Sequence, residues 1–489
     1  MNWRSVRWLV CGCLPLAAGL AQAAEPIGLF AEHGDVGTVL HPGSVVYDAG
    51  RRSYTISGSG ENVWATADAF QFVWKKMEGD FTLTADISVL GQGGDPHKKA
   101  MLMARQSLDA DSAYADVALH GVGLTSLQAR DAKGADTHEI QSNISAPKKL
   151  RLQKYGDEFT MWLAGEDGQF RFAGGSMRVP LAGQFYVGLG VCAHNKDAVE
   201  TAEFSDVAAE VGPTVAEQFG TLETVAVAST DRRVTYVGSP RVGSPRFARD
   251  GAYLAFGEGG QIWKVPSVGG KPEVYAEARK DHGVSPDGTL GFAIISSGAG
   301  SYIYVVPTAR GEMRRVAGGC CPIWSPDGKT IVFMAERDGR FDVVSVPTAG
   351  GEERRLTTEG VNSGAEFSPD GQYIYFNSDR SGVMEVWRMN PDGSQPMRVI
   401  NDGSNNWFPH VSPDGKFLAF LTAQGAGLRF PASFEPAVLR GMTLADGRIR
   451  TLANLMAGPR TMGERPWSLD SKRITFVSYQ GVKTGERAP

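Results

Sequence analysis

The sequence predicts an all-β protein in which a β-sandwich is followed by a six-bladed β-propeller. Three observations predict it. Short runs rich in Val, Phe, Tyr and Thr are punctuated by turn residues, in a chain with 61 glycines and 26 prolines, which is how short strands joined by tight turns read. One tetrapeptide recurs through the second half, and the first half shows strand-like alternation without that repeat.

The repeat comprises Ser285-Pro286-Asp287-Gly288, Ser325-Pro326-Asp327-Gly328, Ser368-Pro369-Asp370-Gly371 and Ser412-Pro413-Asp414-Gly415. Degenerate copies stand at Ala248-Arg249-Asp250-Gly251 and Ser468-Leu469-Asp470-Ser471. Most copies are about 40 residues apart, the length of one four-stranded propeller blade. Each is followed by an alternating strand, such as Thr330 to Phe333 or Tyr373 to Phe376, and then a second, such as Glu385 to Arg388. Pro and Gly fix the intervening hairpin, and the Asp side chain accepts backbone N–H groups in the turn. The last copy ends half a blade short, after Arg473 to Tyr479. Two runs ahead of the first copy, Thr224 to Ala228 and Arg233 to Val237, are expected to supply the missing outer strands and close six blades without an open edge.

The first half carries strands such as Gly79 to Ile87, Lys149 to Gln153 and Phe185 to Val191, bounded by glycine turns. That alternation suits two packed sheets. The residues after Gly212 read as the linker. Arg4 and Arg7, the apolar stretch Trp8 to Leu20, and Ala21-Gln22-Ala23 form a secretory signal peptide cleaved after about Ala23. Gly12, Pro15 and Gly19 break that stretch, which is too short for a membrane anchor. The expected organisation is a signal peptide over 1–23, a sandwich over 25–212 and a propeller over 213–489, in a periplasmic or secreted protein with no transmembrane segment in the mature chain.

Cys192, Cys320 and Cys321 are too few for a disulfide framework. The adjacent pair reads either as a strained vicinal disulfide or as two small buried thiols. A net charge of −5 supplies no basic field for phosphates, which excludes nucleic acid as a partner.

Innermost blade strands begin just before each turn motif and face the channel. They offer Arg246, Asp281 and His282, Cys320 and Cys321, Glu366, Trp407 and His410, and Arg465 with Trp467. Two histidines with carboxylates around a hole could bind a divalent metal. Cys320-Cys321-Pro322 and Gly458 to Met462, however, supply no further histidine, so no metal and no cofactor are expected. On the sandwich, Trp64 and Trp162 are aromatics of the kind that stack on sugars, while Phe70, Phe72 and Trp74 share one face at period two and read as buried. Arg105, His120, His194 and Asn195 are polar groups that could reach a concave surface or serve as local structural hydrogen-bonders. No Gly-x-Ser-x-Gly elbow, His-Glu-x-x-His or Glu-x-Asp-x-Glu strand is present, and no catalytic residue is assigned.

Phe376-Asn377-Ser378-Asp379-Arg380-Ser381-Gly382 with Trp387-Arg388-Met389, then Trp407 to Gly415, resembles the TolB-like family of periplasmic propellers over most of residues 222–489. Gly58 to Trp64, Met101 to Arg105, Leu150 to Leu152 and Gly188 to Asn195 resemble the concanavalin-like domains of secreted bacterial proteins, some of which bind carbohydrate. The resemblances imply an exported envelope binding protein, with the sandwich for a glycan or partner and the propeller for a protein or other ligand. The alternative is a carbohydrate-active enzyme, a propeller-type polysaccharide lyase or hydrolase, with its site around His282 and His410.

Overall fold

The computed structural model describes residues 27–90, 93–212, 217–275, 283–297, 300–309, 311–423 and 434–481. The signal-peptide reading, Asp281 and His282 lie outside the described residues. Every regular element described is a β-strand, and no described helix is long and apolar enough to cross a membrane.

Two sheets pack face to face in the first half. One runs, in spatial order, through Arg171–Arg178, Glu158–Ala164, Lys149–Tyr155, Phe81–Leu90, Glu200–Val211, Ser53–Gly58 and Ser44–Asp48. Alternation builds the interface: Leu150 and Leu152 are fully buried while Arg151 and Gln153 face outward. Their partners across the core include Leu102, Val117, Leu127 and Val187 of the other sheet. That sheet has a second apolar layer on its outer face, where Phe70, Phe72 and Trp74 pack with Met101, Met103 and Tyr114. The sequence expectation that these three aromatics are buried is met by a different arrangement, because both faces of this sheet are covered.

Five four- or three-stranded sheets follow as propeller blades, not six. They begin at Gly243–Phe247, Leu290–Ser297, Cys320–Trp324, Asn362–Phe367 and Asn405–Val411. The terminal strand Arg473–Gln480 does pair with Phe219–Ala226, which pairs with Arg232–Gly238. Arg232–Gly238 then pairs in parallel with His138–Gln141, through Ile140 opposite Arg232 and Gln141 opposite Arg233. The strands expected to form a separate sixth blade are therefore the end of a ten-stranded sheet that begins in the sandwich.

Close approach at this junction is permitted by Gly174 and Gly175. Both have left-handed backbone (φ +95° and +71°), and a Cβ would lie 2.6 Å from Val234 Cγ1 and 2.7 Å from Ile140 Cδ1, respectively. Phe219 stacks on Phe172 at 4.5 Å between centroids and meets Trp162 edge-on at 5.6 Å. Trp162 is thus a junction residue rather than a free stacking platform. Beneath them Arg232 donates from Nε and Nη2 to the two carboxylate oxygens of Glu223, each at 2.8 Å, with both side chains buried.

The turn motif does more than the sequence reading assigned to it. In each of five copies, from Ser285-Asp287 to Ser468-Asp470, the serine hydroxyl donates to the aspartate at 2.6 Å. The same hydroxyl accepts the N–H that opens the next strand, at 2.9–3.0 Å. Two tryptophans lock neighbouring blades from the position just ahead of the motif: Trp324 Nε1 donates to the Gly283 carbonyl at 2.7 Å and Trp467 Nε1 to that of His410 at 2.9 Å.

Hydroxyl and backbone N–H donors hold the carboxyls of Asp327 and Asp370 below the usual aspartate range. Their contribution to stability is present above the unfolded-state value of about 4 and is lost as pH falls through the lower native value. Ser325→Ala/Ser368→Ala should lower stability at neutral pH and flatten its fall below about pH 4 in urea titrations at stepped pH. Glu223→Ala, which leaves a buried guanidinium without its carboxylate, should cost about 3–5 kcal/mol in the same assay.

Candidate functional site

The site is the mouth of the propeller channel, and a repeated backbone irregularity builds it. In four inner strands the ladder slips at the same place, between Gly243 and Arg246, Cys320 and Ile323, Ser363 and Glu366, and Trp407 and His410. Each slip contains a left-handed residue: Ser244 (φ 52°), Cys321 (φ 55°), Gly364 (φ 59°) and Phe408 (φ 54°). Arg465 (φ 54°) adds a fifth beside the terminal strand. Such a bulge bends a strand and re-aims its side chains. Except at Gly364, the next residue is proline (Pro245, Pro322, Pro409, Pro466); having no N–H, proline suits a bulge where the ladder is interrupted. A non-glycine residue held left-handed costs of order 1–3 kcal/mol, and such strain clusters at functional sites.

Two positions beyond the four left-handed residues, Arg246, Ile323, Glu366 and His410 line a cavity of about 730 Å³. Its walls are largely apolar, from Phe292, Trp324, Phe341, Phe408 and Met462. The polar focus is a hydrogen-bonded pair: His410 Nδ1 lies 2.5 Å from Glu366 Oε2, with the side chains only 12% and 23% exposed. Arg246 is buried and Arg465 half-buried, both lining the cavity. Trp407 also lines it but is anchored in the wall against Met384 and Ala423. Of the channel positions read from the sequence, Arg246, Cys321, Glu366, Trp407, His410 and Arg465 line this cavity, whereas Cys320 and Trp467 are not among its lining residues.

Glu366 occupies one ring nitrogen of His410, and among the described residues no hydroxyl or thiol is hydrogen-bonded to that histidine. No described group of three His, Cys, Asp or Glu side chains converges to hold an ion.

The sandwich residues separate into two groups. Arg105 is fully buried, reaching Asp68 and the carbonyls of Ser107 and Asp109; with Arg130 on the same carboxylate, it ties the loop around Asp68 over the sheet. This is the local structural role that the sequence left open for it beside a surface one. Trp64 is half-buried, with Lys99 Nζ 5.3 Å from its ring centre. His120 and His194 do come together through a residue the sequence reading missed: His97 lies 6.0 Å from the first and 5.4 Å from the second, ring centre to ring centre. His120 is buried, and desolvation together with the Lys99 charge pushes its pKa down to about 3. His194 bridges Asn62 and Asp95 at 3.0 and 3.2 Å, while Asn195 accepts the Asp197 N–H in a turn. Asp116, Gln128 and Glu139, also missed, extend this polar layer as directly paired positions on adjacent strands; period-two alternation of polar residues was the available signal.

Residues 317–450 match the PD40 family, the TolB beta propeller domain. The uncharacterized protein Atu1656 of Agrobacterium fabrum is 33% identical over 254 residues, which make up 49% of this chain and 85% of that protein. A solved structure from Agrobacterium tumefaciens, assigned as TolB, is 31% identical over 54% of this chain and 99% of its own, with a TM-score of 0.49. TolB from Acinetobacter baumannii is 14% identical, covering 67% of this chain and 78% of its own, with a TM-score of 0.32.

The bulge geometry makes opposite predictions for two substitutions. Ser244→Gly relieves a left-handed serine and should stabilise the protein by about 1 kcal/mol. Gly364→Ala should destabilise it by at least about 1 kcal/mol, because the new Cβ would sit 2.7 Å from Asn377 Oδ1 at φ +59°. Paired urea titrations check both signs.

Proposed function

The chain belongs to the TolB-like β-propeller family, and from that premise we propose that it is an exported envelope binding protein that holds a partner at the mouth of its propeller channel. The carrying observation is the cavity of about 730 Å³, which sets apolar walls around the Glu366–His410 pair. Concave, mostly apolar sites with a few fixed polar groups are the usual form of a recognition pocket. Apolar walls suit the side chains of a protein segment, and the Glu366–His410 pair together with Arg246 orients its polar groups. The signal-peptide motif and the family resemblance support a periplasmic or secreted location. In this reading the organisation is a leader over 1–23, a concanavalin-like sandwich over 25–212 serving a glycan or second partner, and a propeller over 213–489.

Envelope extract passed over the immobilised mature protein tests the proposal. Wild type should retain a defined envelope protein, and Ile323→Arg/Glu366→Arg, melting as wild type does, should lose it; a buried charge mismatch costs an interface about 2–5 kcal/mol. Equal retention by both proteins would rule out the channel mouth as the binding surface. Conversion of uronate polysaccharides by wild type but not by His410→Ala would replace binding with catalysis.

A further inference from the structure

The third blade places two thiols side by side on the channel wall. Cys320 and Cys321 are both free, the first half-buried and the second exposed. Their sulfurs lie 3.4 Å apart, with the Cys321 thiol donating to Cys320. Adjacent residues in a regular strand point to opposite faces; here the left-handed backbone of Cys321 (φ 55°) turns its side chain back to its neighbour's. A third sulfur belongs to the same neighbourhood. Met334 is the cross-strand partner of Cys320, lines the cavity together with Cys321, and has its thioether facing the next inner strand, where it accepts the Gly364 N–H at 3.4 Å.

We propose that Cys320 and Cys321, with Met334, form a binding site for a soft, low-coordinate d10 cation of the Cu(I) type at the channel wall. Thiolate and thioether ligands select soft ions, whereas carboxylate and carbonyl oxygens suit hard ones. Metal–sulfur bonds of about 2.3 Å let two sulfurs on one ion stand as much as about 4.6 Å apart, so the observed 3.4 Å allows a shared ion. The sulfur ligands this wall offers are two thiolates and the Met334 thioether. That set is too small for the four-coordinate shell of structural zinc; sulfurs 3.4 Å apart subtend about 95° at an ion about 2.3 Å from each, which suits a three-coordinate soft ion and not a linear two-coordinate one. On binding, each ligating thiol gives up its proton to solvent, and the ion keeps its charge state throughout.

The mature chain is titrated anaerobically with Cu(I) against bathocuproine disulfonate, and X-ray absorption then reads the ligand atoms. Wild type should take one equivalent into an all-sulfur shell, and Cys192→Ser, altered at the buried sandwich thiol, should match it. Loss of even an outer-shell partner commonly weakens metal affinity by about 10- to 100-fold, so Cys320→Ser/Cys321→Ser should lose roughly 100-fold or more. Met334→Leu should lose less and drop one sulfur from the spectrum. Cys321→Ser, at an exposed side chain, replaces the double variant if that one fails to fold. No copper uptake by wild type, uptake unchanged in the cysteine variants, or a shell of nitrogen and oxygen would each overturn the proposal. None of these outcomes bears on partner capture at the channel mouth.

Discussion

The buried Glu223–Arg232 pair is the interaction on which the rest of the molecule hangs. Arg232 opens the strand that ends the sandwich's parallel pairing and also supports the strand that closes the propeller. Besides Glu223, its guanidinium reaches the carbonyls of Ser176 in the sandwich and Asn454 in the last blade, each at 3.5 Å. Glu223 in turn accepts the Ser478 hydroxyl from the terminal strand. Removing two charges from water is costly unless geometry and additional hydrogen bonds offset it; here both carboxylate oxygens are matched by a bidentate guanidinium. Four segments distant in sequence must therefore be assembled for the pair to be satisfied.

From that junction the channel follows by repetition. The serine–aspartate turns fix where each second strand starts, which fixes where each inner strand ends. The bulges then present one side chain per blade to the axis. Because the four bulged blades share this geometry but not their residues, the channel is a ring of equivalent positions filled by unlike groups: a cation, an aliphatic side chain, a carboxylate and a histidine. A scaffold of this kind changes its recognition chemistry without changing its backbone.

Much of this was legible in the sequence. The repeat located the blades, and the two runs at Thr224 and Arg233 were correctly matched to the terminal strand. The merger of those strands with the sandwich was not legible, since it rests on two parallel residue pairs at Ile140 and Gln141, too short a contact to leave a periodic signal. Arg105 illustrates a second limit: the sequence marked it as a polar group of the sandwich but did not show that Asp68 roofs its face. The bulges did leave a trace, in the prolines at 245, 322, 409 and 466, although single prolines read equally well as turn formers. Gly364 carries the same geometry with no proline at all.

The continuous ten-stranded sheet has a mechanical consequence. A load on the propeller reaches the sandwich through strands joined edge to edge, and the narrowest link in that series is the parallel pair between His138–Gln141 and Arg232–Gly238. Load across the sheet peels hydrogen bonds one after another, whereas load along the strands shears them together. The direction of pull therefore decides whether the two halves behave as one rigid body or part at this seam. The ring itself, zipped over eight residue pairs between Phe219–Ala226 and Arg473–Gln480, would outlast the seam.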